Sequence, residues 1–290
     1  MKKRYPVAVV FVSLAALAAV FPLLFTVTSS FMSGEEIASR YTAEVTESNA
    51  NDFLSSGIHF VRFGLIPEEP TLDQYKELLL DSPEYLRMFW NSVLLVVPVL
   101  LGQVVLAPLA AYGLERIRWK YKEAIFFGYV IVMLMPTQLL LVPNFIVAGW
   151  LNIRESYLAI ILPAMFHPLG VFLIRQQLKN FPKECLEAAA LDGAGLFSAY
   201  WHIVRPNLSS VLAALLVLLF ADNWNIIDQA VVFLKNTYDN PLSVYLGEVV
   251  SGDPGMFFAV SVFYLIPAVL VFLLGQEHLT EGIALSQLKL

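Results

Sequence analysis

The stretch NSVLLVVPVLLGQVVLAPLAAYGL, residues 91–114, contains no charged side chain and decides the class of fold. A helix rises about 1.5 Å per residue, so the stretch is long enough to cross a hydrocarbon core about 30 Å thick. In lipid, every backbone polar group must be bonded within its own segment. Because the stretch also lacks the polar and apolar alternation of barrel strands, it predicts a membrane-spanning helix.

Five other segments of the chain are also long and predominantly apolar. Its composition is 58% apolar and 14% charged, against roughly 45–50% and about 25% in soluble domains. The other uncharged intervals lie between Arg4 and Glu35, Glu123 and Arg154, Glu155 and Arg175, and Asp253 and Glu277, and a further span, from about Leu208 to Leu234, carries Asp222 and Asp228. We therefore predict an all-α membrane protein with six transmembrane helices in one domain over 1–290, the second to fifth within about 89–234.

Basic residues indicate the orientation, because Lys and Arg are retained on the cytoplasmic side. With both termini in the cytoplasm, the cytoplasmic pieces hold 12 of the 18 basic residues. The first outer loop, about 33–88, has 11 acidic residues against 4 basic ones. The start, MKKRYPVAVVFVSLAALAAV, also resembles a secretory signal, but its uncharged run continues to Gly34, which favours a retained first helix.

The outer loop has apolar residues at helical spacing in PTLDQYKELLLDSPEYLRMFW, residues 70–90. This spacing predicts short amphipathic helices with a break at Pro83. Two interpretations remain open: a surface that docks a partner, or a loop packed on the helix ends. The length of the loop, well above that of usual connections, favours docking.

A polar interruption, KECLEAAALDGAGLFSAYWHIVRPNL at residues 183–208, separates two of the spans. Pro182 can occupy the first turn of a helix over Lys183–Leu191, and the glycines at 193 and 195 permit a left-handed or tight turn. A second short helix is predicted over Leu196–Val204, ended by Pro206. The alanines of this stretch contribute little buried area, but they allow another protein to approach the backbone closely.

These residues, in this predicted setting, resemble the E-A-A loop of the permease subunits of bacterial ABC importers. The form EAAALDGAG, residues 187–195, is similar to that of carbohydrate-uptake permeases. The resemblance covers nearly the whole chain and is strongest to the maltose-permease-like second subunit of such transporters. One departure is Arg205, where the family usually has leucine. The residues that the resemblance assigns to coupling, within a cytoplasmic helix-turn-helix loop of about 175–207, are Glu187, Ala188, Ala189, Asp192, Gly193, Ala194, Ile203 and Pro206.

The resemblance implies several partners in a bacterial cell membrane. They are a second, different permease subunit, two cytoplasmic ATPase subunits that receive the coupling loop, and an extracellular solute-binding protein. The chain has no G-x-x-x-x-G-K-[ST] motif to cradle phosphates, so we expect ATP and Mg²⁺ to be bound by the ATPase subunits. We expect no catalytic residue, metal site, cofactor or nucleic-acid partner in this chain.

Polar residues of the fifth span indicate where a solute passes. A carboxylate at mid-membrane costs at least about 2.5 kcal/mol, so such groups usually face a cavity or a partner. Groups that can hydrogen-bond to hydroxyls, placed beside an indole ring on which C–H faces can stack, are suited to binding a sugar. The residues predicted to line the path are Asp222, Trp224, Asn225, Asp228 and Gln229. The alternative is that Asp228 and Gln229 lie at the outer interface while Asp222 bonds a neighbouring helix.

The predicted function is therefore import of a sugar or oligosaccharide by a transporter subunit that is not an enzyme. Alternatives are import of another solute, such as a polyamine or a phosphate ester, and, in another class, an intramembrane enzyme or a receptor scaffold. A catalytic pair is disfavoured, because Asp222 and Asp228 lie about 240° apart around a helix.

Overall fold

A computed structural model describes residues 5–41, 64–116, 119–248 and 254–287, and within these ranges it contains helices and no strand. The first seven α-helices are α1 Tyr5–Ser29, α2 Gly34–Tyr41, α3 Asp73–Lys76, α4 Pro83–Arg116, α5 Lys122–Met133, α6 Thr137–Trp150 and α7 Leu158–Met165. The remaining seven are α8 Pro168–Lys179, α9 Lys183–Leu191, α10 Leu196–Ala199, α11 Ser209–Trp224, α12 Asp228–Phe233, α13 Leu242–Glu248 and α14 Pro254–Gln287.

Five helical segments of the described residues are long and apolar enough to cross a membrane, and a bent pair makes six if it counts as one span. The pair is α5 and α6, which meet at 107°. Pro136 lies at the break, where it lacks an N–H and disfavours helical geometry at Met135. The all-helical class is thus confirmed, and the described residues give the six expected spans when this bent pair is counted as the third.

By their contacts, the residues form two compact units, Met1–Arg87 with Tyr245–Ile266, and Met88–Val244 with Pro267–Leu290. The single-domain assignment stays a prediction. In the first unit, Met32, Ile37 and Leu78 are fully buried. The Gln74 amide there donates to the Met32 carbonyl oxygen at 2.5 Å. In the second unit, one core cluster joins α4, α8 and α11 with the segment 200–208.

The outer loop is broken at Pro83, as predicted, but it ends earlier than expected. The helical residues end at Asp81, Ser82 is extended, and Pro83 begins α4, because a residue without an N–H fits the first helical turn. The loop therefore ends near Ser82, and part of its predicted amphipathic segment forms α3 with the π-helical turn Glu77–Asp81. Residues 42–63 of the loop lie outside the described residues.

Pro206 does not end a helix, contrary to the prediction from the sequence. α10 continues through a π-helical turn, Tyr200–Val204, and a 3₁₀ turn, Arg205–Leu208, directly into α11. The changes of hydrogen-bond pattern absorb the missing N–H, and proline is placed within the first two residues of the 3₁₀ turn. The segment Leu196–Trp224 is therefore one continuous helical segment, long and apolar enough to cross a membrane.

The fifth span also ends earlier than expected. α11 stops at Trp224, and the residues from Asn225 to Ile227 separate it from the short helix α12. The predicted path residues Asp228 and Gln229 consequently belong to a different element from Asp222 and Trp224. The expected continuous helix to Leu234 is wrong, because the polar run DNWN at 222–225 interrupts the apolar surface.

The fourth span is broken between α7 and α8. His167 caps α8, its Nδ1 accepting from the Leu169 N–H at 3.4 Å, and Pro168 occupies the first turn. Gln103 of α4 lies at this break: its Nε2 donates to the carbonyl oxygens of Ala164, Met165 and His167 at 3.0–3.2 Å. One side chain thus satisfies the carbonyls released by the break, as the membrane interior requires.

Replacing Gly170 by alanine should destabilise this packing. A Cβ there would overlap Gln103 Oε1 and would lie 2.8 Å from Ala107 Cβ, which is fixed to the backbone of α4. We expect the free energy of unfolding to fall by about 1–3 kcal/mol, measured by thermal unfolding in detergent. Gly128→Ala in α5, where a Cβ meets nothing within 4 Å, should be neutral or stabilising. Equal stability of both variants would contradict the close approach of α4 and α8.

Candidate functional site

The EAA stretch forms a helix whose end is closed by the glycine turn. α9 spans Lys183–Leu191 as predicted. The Ala194 N–H donates to the Ala189 carbonyl at 2.9 Å and the Gly193 N–H to that of Ala190 at 3.1 Å, which is a Schellman cap. Gly193 has φ +80°, so the left-handed turn is confirmed at this glycine. Gly195 is extended, with φ −69° and ψ 166°.

Helix α9 and the glycine turn after it have a buried side and an exposed side. Ala189 is buried and Leu186 packs against the core cluster, whereas Glu187, Ala188 and Asp192 are exposed. Of the other predicted coupling residues, Ala194 and Ile203 are half-buried and Pro206 is exposed. The assignment of these eight residues to coupling stays a prediction.

The exposed side of α9 and the glycine turn is more apolar than expected from the sequence. Leu191 is 90% exposed, Phe197 72% and Leu196 67%. We call this set, Leu191, Leu196 and Phe197, the apolar cap. Because exposed large apolar residues clustered at one place mark interaction surfaces, the apolar cap is a candidate partner contact. The signal in the sequence was present, since these are the large apolar residues on either side of the glycine turn.

The apolar cap is connected to the membrane-spanning helices through the segment that follows it. Tyr200, Val204 and Leu208 are buried in the core cluster with residues of α4, α8 and α11. The Tyr112 hydroxyl donates to the Leu196 carbonyl at 3.2 Å, and the rings of Tyr112 and Tyr200 lie 5.4 Å apart. The apolar cap is therefore connected to α4 and α11 by direct packing and by a hydrogen bond.

Arg205, which departs from the family pattern, lies on the exposed side of the same segment. Its guanidinium is 4.6 Å from the centroid of the Trp201 ring, and Trp201 stacks on Phe197 at 6.2 Å. Arginine over an indole is a favourable cation–π arrangement. The exposed arginine thus extends an aromatic stack from the apolar cap rather than inserting into the bundle.

A buried charge cluster lies where α8 leads towards the coupling segment. The Arg175 side chain is only 1% exposed. Its Nη2 lies 2.6 Å from Glu123 Oε1 of α5, its Nε 3.4 Å from Glu115 Oε2 of α4, and its guanidinium 4.0 Å from the Phe126 ring centroid. Nε and Nη1 make no hydrogen bond in the described structure. Arg175 therefore ties three helices together by one group, with part of its donor capacity unused.

The predicted path residues are not gathered in one place. Trp224 is 2% exposed and lies against Phe220 and Phe89 with ring centroids 5.1 and 5.7 Å away, so its indole is packed in protein. Asp222 is exposed, and its charge acts on the imidazole of His167. The Asp228 Oδ2 accepts from Gln138 Nε2 at 2.9 Å. A stacking role for Trp224 does not fit this packing, whereas Asp222 stays available to a path.

Asn225 and Gln229 complete the predicted set. Asn225 is exposed, and its Nδ2 donates to the Ala221 carbonyl at 2.8 Å, which satisfies the end of α11 locally. Gln229 is half-buried in the first turn of α12. Their part in a solute path stays a prediction. The described residues contain no group of three or more His, Cys, Asp or Glu that could hold a metal ion.

Comparison with known protein families decides what this arrangement belongs to. Residues 103–283 match the family described as the binding-protein-dependent transport system inner membrane component. The chain belongs to this family. It is thus a multi-pass, membrane-spanning subunit of a transport system, and the interpretations as an intramembrane enzyme or a receptor scaffold are set aside.

Individual relatives agree with this assignment. The chain is 25% identical over 277 residues to the arabinooligosaccharides transport system permease protein AraQ of Halalkalibacterium halodurans, covering 94% of this chain and 92% of the relative. It is 29% identical over 215 residues to the sn-glycerol-3-phosphate transport system permease protein UgpE of Yersinia pestis, covering 71% and 75%.

The fold is similar to that of a solved transporter. A chain from the crystal structure of a bacterial ABC transporter involved in the import of the acidic polysaccharide alginate matches with a TM-score of 0.75. The match covers 93% of this chain and 94% of that chain at 20% sequence identity, so it concerns the fold. The ABC-permease fold expected from the sequence is confirmed.

Proposed function

We propose that this chain is the permease subunit of an ABC importer that moves a sugar or oligosaccharide inward, driven by ATP hydrolysis on separate ATPase subunits. The observation that carries the proposal is the apolar cap, in which Leu191, Leu196 and Phe197 are exposed and available to a cytoplasmic partner protein. The substrate class follows from the name of the arabinooligosaccharide relative and from the carbohydrate form of the EAA stretch.

In this proposal, two ATPase subunits bind ATP and Mg²⁺, and their closure displaces α9 with the apolar cap. The continuous helical segment from Leu196 to Trp224 transmits the displacement of the apolar cap into the membrane. Arg175 ties α8 to α4 and α5, so these helices move together. Access to the path then switches from the outer to the inner side.

The other partners follow from the same arrangement. A second, different permease subunit completes the path, and an extracellular solute-binding protein docks on the outer side, where the acidic loop 33–88 lies. Both termini of this chain are then cytoplasmic, in the cell membrane of a bacterium. The apolar surfaces of α1 and α14, which are largely exposed in this chain, are left for lipid and for the second permease.

A second candidate is import of a phosphate ester, since one relative is named for sn-glycerol 3-phosphate transport. Asp222, exposed near the polar end of α11, would repel such an anion. The neutral sugar is therefore the better match.

Replacing Leu191 by glutamate tests the apolar cap. Burying a leucine contributes about 1.5–3 kcal/mol, and a carboxylate in an apolar cleft is unfavourable, so ATPase subunits should bind at least tenfold more weakly. The measurement is the affinity of the purified ATPase subunit for the permease pair in lipid nanodiscs. Leu72→Glu, a similarly exposed leucine on the outer side at 63%, should leave that affinity unchanged. Equal affinity of both variants would contradict docking through the cap.

The substrate class is tested on the complete importer in proteoliposomes. The rate of ATP hydrolysis is compared with and without binding protein, in the presence of arabinotriose, lactose, maltotriose or sn-glycerol 3-phosphate. We expect stimulation by at least one of the three neutral sugars. Stimulation by glycerol 3-phosphate alone would overturn the sugar assignment and leave the importer role in place.

A further inference from the structure

A cavity of about 230 Å³, half open to the surface of the chain at the exposed side chains of Leu109 and Phe166, lies in the second unit beside the break between α7 and α8. It is lined by residues of α4, α5 and the broken fourth span, among them Gln103, Leu106, Tyr129, Met165, Phe166 and His167. None of its lining residues is charged. Gln103, Tyr129 and His167 all belong to uncharged intervals, which places the cavity at the depth of the membrane-spanning segments.

Three polar groups of this lining have unused hydrogen-bonding capacity. Gln103 is 1% exposed, and its Oε1 is buried without a hydrogen-bond partner among the described residues. His167 accepts the Leu169 N–H at Nδ1, so a neutral imidazole carries its proton on Nε2, for which the described chain offers no acceptor. The Tyr129 hydroxyl likewise makes no hydrogen bond there. Gln103 Oε1 has no accessible surface and lies against Gly170 of α8, so the cavity itself offers one free donor, on His167, and the Tyr129 hydroxyl, which can donate or accept.

The backbone around the cavity is irregular in a way that indicates a functional cavity. Non-helical backbone at membrane depth is tolerated where it is buried in protein or borders a water-filled space. Gln103 already satisfies three carbonyl oxygens of the break through its Nε2. Repair of the break therefore does not require His167 Nε2 or the Tyr129 hydroxyl, and these two groups remain for something that is absent from the chain itself.

The chemistry of the lining indicates what would occupy the cavity. A polyhydroxylated ring needs both donors and acceptors, and its C–H faces pack on apolar and aromatic surfaces such as Phe166. A charged phosphate or ammonium group would find no opposite charge in the lining. The volume is below the roughly 300–1,000 Å³ of pockets that enclose drug-sized ligands, so it suits one sugar unit rather than an oligosaccharide.

We propose that this cavity is a transient subsite for a single neutral sugar unit on the translocation path, with His167 Nε2 and the Tyr129 hydroxyl as its hydrogen-bonding groups. The proposal rests on the proposed sugar-import function and names a site for it.

Two conservative variants test the subsite without removing its structural bonds. Tyr129→Phe deletes one hydroxyl that has no partner in the chain. His167→Asn keeps a side-chain acceptor that can cap α8 but loses the ring N–H. Each should raise the sugar concentration needed for half-maximal transport about three- to tenfold, as expected for one neutral hydrogen bond. Tyr121→Phe, the same change outside the cavity, should have no effect.

Cysteine labelling distinguishes the possible occupants. Leu106→Cys places a thiol in the cavity, and Leu101→Cys places one on the exposed surface of the same helix; Cys185, the single native cysteine, gives the background. A water-soluble methanethiosulfonate reagent should label Leu106→Cys faster than Leu101→Cys in the assembled importer. Arabinotriose, lactose or maltotriose should slow that labelling at least threefold, whereas sn-glycerol 3-phosphate should not.

The other outcomes overturn the subsite. Labelling that none of the sugars slows means a water-filled cavity without solute. Labelling in the isolated chain but not in the assembled importer means that the second permease fills it, and no labelling in either means lipid. If transport is intact while the variants behave like the parent chain, the subsite fails and sugar import stands; if no sugar stimulates ATP hydrolysis, the proposed function itself fails.

Discussion

Replacing Arg175 by methionine should both destabilise the protein and uncouple ATP hydrolysis from transport. Methionine keeps the length of the side chain over Phe126 but leaves the buried Glu115 carboxylate without its cation. Breaking a buried ion pair costs about 3–5 kcal/mol, and we expect the lower end because the Glu115 side chain is 27% exposed. Transport should fall at least tenfold, measured as solute imported per ATP hydrolysed in proteoliposomes.

Two further variants separate stability from coupling. Arg175→Met combined with Glu115→Gln removes the uncompensated carboxylate and should recover most of the lost stability, but not the coupling, because the tie between α8, α4 and α5 remains broken. Lys235→Met removes the cation of an exposed ion pair with Glu155 and should change almost nothing. Normal stability and normal coupling of Arg175→Met would contradict the role of the cluster.

Replacing Gly193 by aspartate should abolish stimulated ATP hydrolysis while leaving the fold intact. A Cβ at Gly193 meets nothing within 4 Å in this chain, so the added side chain projects from the exposed turn. Asp is among the residues that tolerate a positive φ, and we expect a loss of at most about 1 kcal/mol in unfolding free energy. The bulky charge would instead collide with the surface that receives the coupling segment. Stimulation by binding protein and sugar should fall at least tenfold.

A matched variant distinguishes the two roles of this glycine. Gly193→Val forces a β-branched residue into the left-handed turn and should cost about 1–3 kcal/mol in addition to its effect on coupling. Thermal unfolding and ATPase rate, measured on both variants, give the separation. If Gly193→Asp hydrolyses ATP normally when stimulated, the glycine serves only the backbone and the turn is not received closely by a partner.

Local features of the coupling segment could be predicted well. The helix Lys183–Leu191 and the left-handed Gly193 follow from residue propensities and from the cap that a glycine permits. The prediction that Pro206 ends the second short helix was wrong for a physical reason. Proline disfavours an α-helix, but the π and 3₁₀ turns around it keep the chain helical, and no local pattern reveals them.

Positions in the candidate path could be predicted only in part. The polar run at 222–225 correctly marked an unusual place in a membrane span, since a polar group there needs a compensating environment. It could not tell that Trp224 packs against Phe220 and Phe89, whereas Asp222 stays exposed. It also gave no hint of Gln103, whose three acceptors lie more than sixty residues further along the chain.

The amino-acid sequence by itself determined the membrane class, the position of the apolar spans, the polar coupling segment and its glycine turn, because these depend on composition and on neighbours along the chain. Only the tertiary structure decided that Arg175 meets Glu115 and Glu123, that Gln103 closes the break before Pro168, and which apolar residues form the cap. In a soluble helix, the apolar stripe distinguishes inside from outside. In lipid both sides of a helix are apolar, so the pattern carries little of that information, and packing alone assigns each face.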